Sequence, residues 1–199
     1  MQPQDAFKEL INNLNPFFKY HNYLKKGNSF YCLKEGNCGL VAFQKSRMSN
    51  VSKVIFTINM GIYSRVLVGF FTFNQIKLPP SIEDCHWTRR IKEELSPYHE
   101  KWWSIGDHTS IMELTQDVQD YLKKSITEVD EHISDQKLQL LWLSGQSPGI
   151  TNLHRLMNLS VLLKYSGDTV QLKSVIHELK KISEGTKSAY VVEQHLSSL

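Results

Sequence analysis

One stretch of this chain leaves little freedom about what it becomes. In KVIFTINMGIY, Lys53–Tyr63, the residues Val54, Phe56, Ile58, Met60 and Ile62 occupy alternate positions, and Thr57, Asn59 and Tyr63 fall between them. Successive side chains of a strand point to opposite faces, so the spacing predicts a strand with one apolar face and one polar face. Such a strand needs neighbours for its backbone and a layer to cover its apolar side. Upstream, SFYCLKEGNCGLVAFQ reads as a hairpin. Two strand-like runs, Ser29–Lys34 and Cys38–Ser46, flank Glu35-Gly36-Asn37, where Gly and Asn are expected to supply positive φ. A fourth strand is expected over Asp84–Ile91, beyond the break at Pro79-Pro80. The apolar stretch Val66–Phe73 fits a helical turn and a strand equally.

The covering layer is legible at both ends of the chain. Phe7, Leu10, Ile11 and Leu14 recur at helical spacing, with Pro3 and Asp5 suited to a first turn and Asn15-Pro16 to a stop. Ser110-x-x-Glu113 has the form of a capping box. It is followed by Leu114, Val118, Tyr121, Leu122, Ile126, Val129 and Ile133, one apolar stripe of a long helix. Asp135, Thr151 and Asp168 are read as caps of three further helices closed by Gly145, Gly167 and Gly185, with Leu172, Val175, Ile176, Leu179 and Ile182 inward on the third. A last helix is expected over Lys187–Leu196. Strands first and helices after predict an α+β fold: an antiparallel sheet of about four strands with an N-terminal helix, packed against a C-terminal set of helices. We expect an α+β domain over 1–146, and over 147–199 a helical extension packed on the same core or beside it.

Composition shifts at the same place. All nine Phe precede Asp107, and residues 1–107 carry 14 Lys+Arg against 9 Asp+Glu, a balance of +5, whereas the remainder is −2. The whole chain has a net charge of only +3, without the dense basic stripe of a nucleic-acid binder. The cysteines, Cys32, Cys38 and Cys85, are odd in number and form no CxxC, which argues against a disulfide framework. MQPQDAFKELINNL contains no apolar leader segment, and no run is long enough to span a bilayer. A cytoplasmic setting is therefore expected.

Five segments, YLKKGNSFYCL, FQKSR, FTINMGIYS, CHWTRRI and KWWSI, occur in that order between Tyr23 and Ile105. As an ordered set they resemble a bacterial family known only as domain of unknown function 4304, over roughly Phe7–Leu143. The resemblance implies a bacterial protein with those fold boundaries, and it carries no activity, cofactor or catalytic residue.

Most chemical motifs are missing. There is no GxxxxGK[ST], GxGxxG, GxSxG or HExxH, and the C-x5-C spacing of Cys32 and Cys38 does not suit a zinc site. No metal and no cofactor is implied. Cys85 and His86, adjacent on a strand, would point to opposite faces and could not act together as nucleophile and base. Cys85, Trp87 and Ile91 are expected inward, and Arg89 on that same face near the strand end, its head reaching water. The polar sheet face is the candidate ligand site: Thr57 and Asn59, joined by His86, Thr88 and Arg90, and by Gln44 and Ser46 or else Lys45 and Arg47. Arg90 could hold a carboxylate or phosphate through two donors. Against this stands the frequency with which antiparallel sheets simply leave one polar face to water. Trp102 and Trp103 are candidate interaction anchors or wedges between sheet and helices. Three functions follow. The first is a non-catalytic module for a protein partner. The second is a protein or enzyme for a small anionic ligand, centred on Arg90, His86 and Asn59. The third, nucleic-acid binding, has the least support.

Overall fold

The alternating run becomes β4 (Val54–Tyr63), the central strand of a six-stranded antiparallel sheet. The computed structural model describes residues 1–71, 78–96 and 98–199. The chain enters through α1 (Pro3–Asn13) and α2 (Asn15–Tyr20), then builds β1 (Leu24–Lys26), β2 (Ser29–Lys34) and β3 (Asn37–Lys45) ahead of β4. After β4 come α3 (Arg65–Phe71), a 3₁₀ turn (Ile82–Asp84), β5 (Trp87–Arg90) and β6 (Trp103–Ile105). Five helices complete it: α4 (Ile111–His132), α5 (Asp135–Leu143), α6 (Asn152–Ser166), α7 (Thr169–Ser183) and α8 (Ala189–Ser198).

The fold class is α+β as expected, with six strands in place of about four. The two extra strands, β1 and β6, are three residues each, too short to display an alternation. The β2–β3 turn also differs in detail. Positive φ belongs to Glu35 (52°) and Gly36 (84°), as a two-residue turn of this hand requires. Asn37 is instead the first residue of β3, buried, its amide donating to the Ile133 carbonyl at 2.7 Å and to Asp135 at 3.0 Å. Asn15-Pro16 ends α1 but also opens α2, where proline suits the first turn. Val66–Phe73 resolves to helix through Phe71; Thr72 and Phe73 lie outside the described residues.

β5 and β6 lie on one edge of β4, which pairs with Trp87–Arg90 through its second half and with Trp103–Ile105 through its first. Both are antiparallel to β4, so they are two parts of one edge strand. Between them the chain leaves the sheet and comes back. The excursion is closed at its neck by the Lys92–Glu100 bridge and by the Lys101 N–H donating to the Ile91 carbonyl at 2.8 Å.

On the face bearing Val54, Phe56, Ile58, Met60 and Ile62 the helices α1 and α4 pack down. Aromatic rings fill the gap. Phe18 stacks on Phe30 at 3.7 Å, and Phe56 lies among Phe7 (5.2 Å), Phe43 (6.2 Å) and Trp103 (5.5 Å). Gly39 lets α4 approach closely: a Cβ there would stand 2.8 Å from Val129. The buried side chains of α6, α7 and α8, Leu156 through Val192, join the same contiguous apolar cluster. Thr151, Asp168 and Ser110 cap their helices as expected, whereas Ser134 rather than Asp135 caps α5, and Ile182 turns outward, 37% exposed. Among the described residues, no helix is long and apolar enough to cross a membrane.

Candidate functional site

The second face of β4 is not left to water. Near its end lies a smaller apolar cluster, Cys38, Leu40, Tyr63, Val68 and Cys85. Cys85 was expected inward beside Trp87 and Ile91. It precedes β5, closing the 3₁₀ turn, and its Sγ lies over Gly61 on the opposite face from Trp87; a Cβ at Gly61 would come within 2.5 Å of it. Strand alternation fails here because the strand begins at Trp87, three residues later than the pattern suggested. Burial pushes the Cys38 thiol up to about 12 and raises Cys32 and Cys85 as well, so all three are protonated at neutral pH.

Further along this face the polar residues pair with one another. Asn59 donates to Gln44 Oε1 at 2.7 Å and accepts from Arg90 Nε at 2.9 Å, bridging β3 and β5 through the register that sets Asn59 opposite Arg90. Arg90 also donates through Nη1 to Glu100 at 2.5 Å, and its guanidinium lies 5.5 Å from the centre of the Trp102 ring. Thr88 is half-buried under Gly149, whose φ of 77° and lack of a Cβ allow a contact that a side chain would forbid: a Cβ there would stand 2.5 Å from the Thr88 carbonyl oxygen. Asn59, Thr88, Arg90 and Gln44 thus line one groove of about 700 Å³, with Glu83 and Glu100 also on its wall.

The other expected members stand apart. Thr57 is fully buried and donates to the Lys101 carbonyl at 2.8 Å. His86 accepts the Ser64 backbone N–H at Nδ1, 3.1 Å away, which places its own proton on Nε2; burial holds it down to about 4, so it is neutral. The indoles diverge. Trp103 is 5% exposed, donates through Nε1 to Asp117 at 2.6 Å and serves the core, which removes it as a surface anchor; Trp102 stays 40% exposed. Arg89 reaches Glu128 of α4 from the helix-covered face, as its position on the strand implied.

Ser64, His86 and Asp135 meet in space but not as a catalytic triad. Ser64 Oγ is inaccessible, donates to Asp135 at 2.6 Å and accepts from the Leu67 N–H as a cap of α3, while the imidazole faces the backbone amide of Ser64 and not its hydroxyl. These contacts tie the start of α3 to α5.

The groove residues missed from sequence include Glu83, Lys92, Glu100 and Gly149, which come from segments without periodic pattern. Gln44 was one of two open choices, and the register settles it by placing Gln44 on the Asn59 face.

The family described as Domain of unknown function (DUF4304) matches residues 14–140, about two-thirds of the chain. The chain belongs to this family. The match runs from the end of α1 into α5 and includes every groove residue except Gly149 and its neighbour Pro148. No curated protein and no solved structure shows a significant match to the DUF4304 chain.

Proposed function

We propose that this DUF4304 protein is a non-catalytic protein-interaction module of the bacterial cytoplasm, reading a partner through the groove and the Arg90–Trp102 pair at its edge. The observation that carries this is the state of Arg90. Its guanidinium is held by Asn59 and Glu100 and lies near an exposed indole. A side chain already ordered gives up little rotamer freedom on docking, and Trp and Arg are the residue types that dominate binding energy at interfaces. The acidic Glu83 and Glu100 against Arg90 and Lys92 suit a partner segment carrying both signs of charge. A protonated Cys85, a neutral His86 engaged with a backbone amide and a closed Ser64 offer little to an enzymatic reading of the same surface.

The test is a comparative pull-down from bacterial lysate with wild type, Trp102→Ala and Arg90→Ala, each checked for an unchanged fold by its melting curve. A protein retained by wild type and lost from both variants supports the reading; identical capture by all three removes the groove as the recognition surface. A small anionic ligand is the second reading, favoured by the groove volume and by Lys92, which has no acidic partner among the described residues. It requires that inorganic phosphate raise the melting temperature of wild type and leave Arg90→Ala unmoved.

A further inference from the structure

A second concavity, separate from the groove, opens between α3, α6 and the end of α8 with a volume of about 800 Å³. Val66, Phe70 and Val161 give it a hydrocarbon wall. Phe70 is fixed there by His195 of α8, whose ring meets it edge-on at 5.6 Å. Arg65 and Lys164 stand on the rim, both exposed. Among the described residues neither cation meets an acidic side chain, although eight other Lys and Arg residues do.

Gly69, also on the wall, supplies an independent observation. Glycine is the poorest helix former after proline, yet it occupies the interior of the seven-residue α3. Neither of the usual reasons applies. Its φ is not in the left-handed region, and a Cβ built there meets nothing within 4 Å among the described residues. What the missing side chain leaves is open space in the cleft.

We propose that this cleft binds a free single-chain amphipathic anion, a fatty-acid-like carboxylate, with its hydrocarbon tail along Val66, Phe70 and Val161 and its carboxylate between Arg65 and Lys164. The volume lies in the range of small-molecule sites, roughly 300–1,000 Å³. An apolar wall with paired cations at the rim matches a ligand whose charge stays at the water boundary while its chain is buried. The proposal is independent of the groove and of any protein partner.

The test is calorimetric titration of the whole protein with decanoate below its micellar concentration, beside decanol and acetate. Decanoate binds saturably at one site, acetate does not bind, and decanol binds about 10-fold more weakly, as expected for two solvent-exposed ion pairs. Arg65→Ala/Lys164→Ala brings decanoate to the level of decanol. Gly69→Trp fills the cleft and abolishes both, at a melting temperature no lower than wild type. The proposal is overturned by the absence of saturable decanoate binding, by equal affinity for decanoate and decanol, or by binding that survives Gly69→Trp. It is overturned equally if the protein binds only to vesicles of anionic lipid, which would assign the cations to a membrane surface.

Discussion

Through its middle, β4 is buried on both faces and by opposite means. On one, Val54, Phe56, Ile58, Met60 and Ile62 meet the helices through hydrocarbon and aromatic rings. On the other, Thr57 and Asn59 are 0% and 7% exposed, buried through hydrogen bonds to a backbone carbonyl, an amide and a guanidinium. The first face tolerates any well-packed apolar set of similar volume. The second tolerates only partners that satisfy every donor and acceptor, since an orphaned polar group in a buried site is penalised in full. Stability is concentrated on the first and specificity on the second.

Substitutions on each face can break that contrast. Phe56→Ala, at the centre of the aromatic layer, should lower unfolding free energy by about 3–5 kcal/mol in urea. A loss below 1 kcal/mol would mean the layer is looser than its ring contacts imply. Next in size is acid sensitivity on the polar face. The folded state holds His86 down to about 4 from an ordinary 6.5, so as pH falls the unfolded chain takes up the proton first. This contribution to stability is complete above the unfolded value and is lost between there and about pH 4, amounting to about 3 kcal/mol. His195, also lowered by burial, acts in the same direction. Urea midpoints at neutral and acid pH should therefore converge more in His86→Gln than in wild type; equal acid losses in the two proteins would exonerate His86.

Thr57→Val keeps shape and removes the donor to the Lys101 carbonyl, at a cost of about 1–2 kcal/mol. A neutral result would show that water reaches that carbonyl and that the second face is wetter than its burial suggests. The smallest change in stability, under about 0.5 kcal/mol, is expected for Trp102→Ala, because surface substitutions away from packed features rarely exceed that. If it destabilises the protein by more, the Arg90–Trp102 contact is part of the scaffold rather than a surface offered to a partner.

The sequence displayed the first face far better than the second. An alternation of five large apolar residues is a property of one segment, and so are the stripe of α4 and the caps Ser110, Thr151 and Asp168. The strand bearing Trp87 could also be placed, and with it Arg89 toward α4. What covers the second face depends on distant segments: Glu100 from the excursion, Gly149 from the connection before α6, and Cys85 from a 3₁₀ turn that shifts the start of a strand. Polar alternation announces a face that can make hydrogen bonds. It does not say whether water or protein will make them. The two indoles of Trp102-Trp103 were adjacent in sequence and equivalent in composition, and only the pairing of β6 with β4 separates a core ring from an exposed one.

The interrupted edge strand has a consequence for how this protein can vary. Because the chain departs after Ile91 and re-enters at Lys101 on the same side of β4, the described residues between them belong to an appendage with a fixed anchorage. Its outer residues Leu95 and Tyr98 are almost fully exposed, and its length is not read by the sheet. Lengthening such a closed loop costs little, since the entropy of closure grows only logarithmically. Among the described residues, the tip around Leu95, Ser96 and Tyr98 is thus a graft site: epitopes, tags or new recognition sequences can be exchanged there while the Lys92–Glu100 bridge, the Arg90–Glu100 pair and the strand register behind them stay as they are.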